Sequence, residues 1–349
     1  MSEVLAKVIR GETVESIHLG HLIVTSGEGS TIARIGEPET ITYWRSAAKS
    51  FQTLPCIISG AADEFGFTEK EIALACASHS GEGFHTGTAR QMLSKAGLGE
   101  GDLRCGSHPS FHKETCEAMI RTGENPTQLN NNCSGKHSAM LAFAKHIGAD
   151  LGTYLSLQNP VQKAILQCVS RFTEIPEAEI QIGIDGCSAP NFAVPVSAMA
   201  KAFAKLTNPP EEFARERHEN TRKKNGLKVA CERIIAAQMK YPEYVGGSVR
   251  LDTKIMKALQ GKLICKVGAE GVWCAGILPS EKWKSGLGIA LKIEDGDDVR
   301  ARPVVAIELL RQLGIMTDEA ERTLGEFSPM HLTNRMGLDV GKVVADFKI

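Results

Sequence analysis

The sequence predicts an α+β fold in which one antiparallel sheet is built from both chain ends and helices fill the middle. Three observations lead there. Residues from about 3 to 36 and from about 262 to 295 alternate polar and apolar side chains in short runs broken by glycine, the period of half-buried strands. The stretch from about 45 to 250 spaces its apolar residues for helices instead. Strands and helices kept apart in this way are the α+β pattern, and a sheet closed by both ends argues for a single domain over 1–349.

The elements follow in order. Residues 1–10 alternate and lack the continuous apolar stretch of an export signal, so they are read as a strand and the protein as cytoplasmic. Extended segments break at Gly11, at Gly20 and around Gly27 to Gly29, with His21-Leu22-Ile23-Val24-Thr25 as a short alternating run. Apolar spacing predicts helices over 72–77, 138–147, 196–206 and 227–239. Pro209-Pro210 and the charged stretch to Lys224 read as an exposed excursion. Three strands are then expected at 262–267, 271–275 and 288–293, with a turn at Asp295-Gly296. A helix follows from Pro303 to Leu313, its proline early, where a missing N–H is tolerated.

Composition narrows the partners. Of 349 residues 42% are hydrophobic and 23% charged, enough to bury a substantial core. Forty basic residues against 41 acidic give a net charge of −1, which attracts neither nucleic acid nor an anionic membrane. No run approaches the ~20 apolar residues of a membrane helix, so the expected partner is a small molecule. A homodimer is the expected assembly, as symmetric pairs are the commonest. The ten cysteines form no C-x-x-C pair and several sit in apolar runs such as Ala73 to Ala77, which is how reduced core thiols are distributed.

Several segments carry possible chemistry. Ser46 and Lys49 stand three apart, so on a helix a hydroxyl and an amine share a face. A lysine can serve as base only when neutral, and burial beside Ala47, Ala48 and Phe51 favours that form. The same spacing occurs by chance on solvated helices. Lys266-Val267-Gly268-Ala269-Glu270-Gly271 ends a strand in the manner of the lysine–hydroxyl–glycine strand that edges some serine hydrolase clefts, with valine in place of the hydroxyl residue. The plainer reading is a strand-to-turn junction. Ala77-Ser78-His79-Ser80-Gly81-Glu82 ends an apolar helix in polar groups that either cap it or face a cleft.

Asn132-Cys133-Ser134-Gly135-Lys136-His137 resembles a phosphate loop only superficially, lacking the leading glycine and the final hydroxyl. Cys133 and Cys187, in polar turns, could hold zinc with Lys136 or His137 as a third ligand, or could be inert. Cys105, His108, His112 and Cys116 have metal-like spacing, but Pro109 interrupts any helix through them.

Taken together these segments resemble the bacterial L-asparaginase II family, of the type first known from rhizobia. The residues that carry the resemblance are Arg10-Gly11 with Val14 to His18, Arg45 to Gln52, Ala77 to Glu82, Cys133 to His137, Ile184 to Cys187 and Lys266 to Gly271. It implies a fold related to the serine β-lactamases and glutaminases, and hydrolysis of L-asparagine to L-aspartate and ammonia. It implies two serine–lysine pairs, Ser46 with Lys49 and Ser78 with Lys266, and a zinc ion held by Cys133, Lys136 and Cys187. Two departures stand out: Ser50 where the family usually has proline, and Asn132 after Asn130 and Asn131 where a histidine is expected nearby.

Within that frame, Arg45 is expected to clamp the substrate carboxylate, and Asp185 with Glu270 the ammonium; His79 is a further expected substrate contact. The oxyanion is expected on the Ser46 N–H and one near Gly268. The alternatives are a glutaminase or other amidase of the same fold, and a non-catalytic zinc-binding protein.

Overall fold

The computed structural model describes residues 1–215 and 226–349, so most of the charged excursion expected up to Lys224 lies outside the described residues. The strands are β1 (Glu3–Arg10), β2 (Thr13–Ser26), β3 (Thr31–Ile35), β4 (Ile41–Tyr43), β5 (Gln181–Ile184), β6 (Pro190–Pro195), β7 (Leu263–Val267), β8 (Val272–Ile277), β9 (Leu287–Ile293), β10 (Met330–Thr333) and β11 (Asp339–Ala345). The chain forms two compact units, each drawn from separate segments.

The sheet unit comprises Met1–Ala47, Val194–Asn208 and Lys254–Ile349. Its eight-stranded sheet runs β10-β11-β1-β2-β9-β8-β7, with β3 also on β2. The expected antiparallel sheet from both chain ends is what the strands form: Gly20 faces Ile293 and Ser26 faces Leu287 across β2 and β9. Sequence reading stopped short of the last hairpin, in which β11 pairs with β1 from Ala6 opposite Ala345 to Ile9 opposite Lys342. Leu22, Val24, Trp273, Ile289, Leu291, Val304 and Ile307 are wholly buried. Helix Val196–Thr207 packs on β2, β8 and β9. A Cβ on Gly288 would lie 1.8 Å from the Ala200 carbonyl oxygen, so only glycine admits the helix at this distance.

The helical unit comprises Ala48–Ala193 and Pro209–Thr253. Around its central helix, Ser134–His146, pack Lys49–Ile58, Glu69–Ala75, Gly83–Lys95 and Pro160–Thr173, while Leu227–Lys240 packs on the first two of these four. The central helix is buried continuously from Ser134 to Ala144. Helix Glu69–Ala75 starts with a capping box: Thr68 Oγ1 accepts from Glu71 N–H, and the Glu71 carboxylate accepts from Thr68 N–H. Beyond its end, Ala77 to Gly81 lie outside helix and strand and are buried. No helix among the described residues is long and apolar enough to cross a membrane.

Candidate active site

A 3-10 turn spans Arg45–Ala48 and opens, in the sheet unit, with Arg45 at φ 54°, a left-handed conformation rare for a side chain with a Cβ. Backbone of that kind concentrates at working sites. Ser46 follows it, half-buried. The Arg45 guanidinium lies 4.0 Å from the Glu270 carboxylate, so these two proposed substrate clamps are neighbours of opposite charge. Lys266 sits near the end of β7, fully buried, and its Nζ donates to the Val267 carbonyl at 3.0 Å. The Gly268 N–H donates to Val272 O at 2.8 Å, and its carbonyl accepts from Arg302 at 2.7 Å. That N–H belongs to the turn, so an oxyanion donor from this strand has to be a different one.

In the helical unit, Lys49 is the first residue of helix Lys49–Ile58 and is fully buried. Its Nζ lies 2.6 Å from Ala77 O, 2.9 Å from Ser78 Oγ and 3.5 Å from Asn132 O. Lys49 thus meets Ser78, which sequence reasoning had paired with Lys266. Ser78 is 2% exposed, and its N–H donates to Val245 O at 2.9 Å.

His79 is fully buried with both ring nitrogens engaged. Nδ1 accepts from Gly81 N–H at 3.1 Å, so Nε2 carries the proton and donates to Ser134 Oγ at 2.9 Å. Burial, then the positive fields of His85 and Lys49, holds its pKa well below the ordinary imidazole value. Such a ring is a neutral brace between the Ser78 segment and the central helix, with no ring nitrogen left over for the substrate contact expected of it.

Cys133, Lys136 and Cys187 come together. Cys187 sits on the β5–β6 turn, shaped by Asp185 and by Ser188 at φ 67°, while Cys133 and Lys136 open the central helix. Lys136 Nζ donates to Cys187 Sγ at 3.2 Å, and all three residues are at most 3% exposed. A hydrogen bond from Cys133, Lys136 and then His137 keep Cys187 far below the ordinary thiol pKa despite burial; Cys133, the donor, is pushed correspondingly high. Burial lowers Lys136, but the fields of Cys187, Cys133 and Asp185 outweigh it and hold the lysine protonated. The cluster thus sets two cysteine sulfurs beside a lysine amine, with Lys136 Nζ on Cys187 Sγ. The expected ammonium-binding residue Asp185, half-buried, adds its charge here.

Among the described residues, no three His, Cys, Asp or Glu side chains converge as a metal site. The spaced Cys105, His108, His112 and Cys116 are used separately: Cys105 Sγ lies 3.6 Å from Gln128 O, His108 Nε2 accepts from Asn132 N–H, and His112 lies 2.9 Å from Thr115. None of the ten cysteines is in a disulfide, and burial pushes Cys56, Cys105 and Cys168 up to about 12.

A buried lysine amine against a serine hydroxyl is a pairing that nucleophilic hydrolases use. The L-asparaginase II family model matches residues 6–345. The chain belongs to that family and is an amidohydrolase acting on a small molecule. No match to a curated protein sequence was found. Similar solved structures include a probable glutaminase from Bacillus subtilis complexed with 6-diazo-5-oxo-L-norleucine, at 14% identity, 85% coverage of each chain and TM-score 0.37. Another is the Bacillus subtilis glutaminase YbgJ in covalent complex with 5-oxo-L-norleucine, at 13% identity, covering 85% of this chain and 88% of that one, TM-score 0.39.

Proposed function

We propose that the chain hydrolyses L-asparagine to L-aspartate and ammonia through an acyl-enzyme on Ser46. The observation that carries the reading is the buried Lys49 amine held against the Ser78 hydroxyl. An amine in its neutral form can donate to the two carbonyls around it and still accept a hydroxyl proton. Ser46 is the more open of the two serines, which suits it to attack; Ser78 suits a proton relay.

In this reading, Ser46 Oγ bonds to the side-chain amide carbon as its proton passes to Lys49. Ser78 and Lys266 return a proton to the departing nitrogen, the C–N bond breaks, and ammonia leaves. Water then attacks the ester and frees aspartate. Arg45 binds the α-carboxylate and Glu270 the α-ammonium, the 4.0 Å between them being a spacing that the zwitterionic end of an amino acid can bridge.

The decisive measurement is ammonia release from L-asparagine and from L-glutamine. Asparagine is expected to win by more than about tenfold in kcat/KM, and Ser46→Ala to lower kcat by about a thousandfold or more without unfolding. Glutamine winning, or Ser46→Ala retaining activity, overturns substrate or nucleophile respectively.

We also propose that Cys133, Lys136 and Cys187 hold zinc. Two sulfurs and one amine in a buried cluster fit a soft divalent ion once Cys133 and Lys136 give up protons. Bound zinc would supply a fixed positive charge in place of the Lys136 proton. One zinc per chain is expected by metal analysis, with Cys187→Ser losing it; no metal in the wild type removes the proposal.

A further inference from the structure

The three oxygens around the Lys49 amine differ in how they are fixed. Ala77 O and Ser78 Oγ lie on one segment, and the Ser78 N–H anchors that segment to Val245. Asn132 O is on another segment and has to be brought to the lysine by its own supports. It also accepts from His79 N–H at 3.2 Å. The other side of the same residue is held by a single group: the Asn132 N–H donates to His108 Nε2 at 2.9 Å. Accepting there puts the imidazole proton on Nδ1, which donates to Pro109 O at 2.8 Å. The ring is kept in plane by stacking on Phe111, centroids 4.4 Å apart and 18° between planes.

Asn132 is also a joint between two clusters. Its Oδ1 lies 3.3 Å from the Cys133 sulfur, while its carbonyl faces Lys49 at 3.5 Å. A shift of this residue moves an acceptor away from the amine, and the 3.5 Å contact is already the longest of the three. Small displacements of a catalytic group cost rate out of proportion to their size.

We propose that His108 is a positioning residue for the reaction: through the Asn132 N–H it sets where the Asn132 carbonyl meets Lys49, and so aims Lys49 at Ser78. The inference rests on the amidase reading of Lys49 and Ser78. Its chemistry is that of a hydrogen-bond acceptor alone, with no contact to substrate.

Two variants of the purified protein separate acceptor from packing. His108→Phe keeps a flat ring against Phe111 and removes the acceptor; His108→Gln offers an amide oxygen at the reach of Nε2. Ammonia release from L-asparagine and thermal melting are measured for both. His108→Phe is expected to lower kcat by about tenfold with KM within about twofold, and His108→Gln to recover at least about a third of the lost rate. Wild-type kcat in His108→Phe overturns the proposal, as does an equal loss in both variants accompanied by an equal fall in melting temperature. An active wild type beside an unaffected His108→Phe removes this inference alone. A wild type that releases no ammonia from either amide removes the amidase reading and this inference with it.

Discussion

Lys49 and Ser50 are both wholly buried, and each meets a polar partner from elsewhere in its unit. Ser50, the departure from the family's proline, accepts from Gln238 Nε2 at 2.9 Å and so ties helix Lys49–Ile58 to helix Leu227–Lys240. Ser50→Ala leaves that amide donor buried without its partner, and should cost about 1–3 kcal/mol in denaturant unfolding while the helix itself persists. The motifs singled out Lys49 and Ser78 but not the contact between them, because residue spacing carries no information on contacts between segments. The metal-like spacing around His108 counts side-chain types alone, whereas the structure uses this ring to hold a backbone N–H.

Strands were the most legible elements: β7, β8 and β9 are buried almost throughout and stand out as short apolar runs, and the second half of β2 is buried in the same way. The hairpin β10–β11 escaped because it is largely exposed, which weakens the alternation. The central helix begins at Ser134, four residues before its apolar period announces it. Its first turn, Ser134-Gly135-Lys136-His137, is polar yet buried, spent on hydrogen bonds to His79, Cys187 and Tyr154. Gly135 allows this: a Cβ there would lie 2.3 Å from Leu74 O, a backbone atom that side-chain repacking does not relieve. Gly135→Ala should destabilise by about 2 kcal/mol or more and, by pushing the first turn off the Ala77–Ser78 segment, lower kcat as well. A fully stable and active Gly135→Ala would show that the two helices slide apart without consequence.

Each whole unit is drawn from separated stretches of chain, so no linker composition marks a boundary and the sequence offers only one continuous α+β pattern. Stability against pH is a property of the molecule that its buried imidazoles dominate. Burial lowers His85 from 6.5 to about 4; its Nδ1 accepts from Glu82 N–H and its Nε2 donates to Glu243 O. His79 is shifted the same way. The unfolded chain takes up protons near pH 6.5 that the folded one refuses, so stability is full above that pH and falls on acidification toward pH 4. His85 alone should account for roughly 3 kcal/mol of that loss. Chemical denaturation from pH 7.5 to 4.5 should follow this slope, and His85→Gln should flatten it. A flat wild-type profile contradicts the assignment.

The pairing of β1 with both β2 and β11 also has a consequence for how the protein is made. On the ribosome, the first three strands emerge long before β9 and β11, the strands that complete the pairing of β2 and β1. The continuous stretch Ala48–Ala193 comes out next and carries most of the helical unit, free to condense while the nascent sheet still has open edges. Those waiting edges are where a newborn chain pairs with its neighbour instead of itself, so slow elongation and chaperone shielding of the amino-terminal strands favour a productive yield.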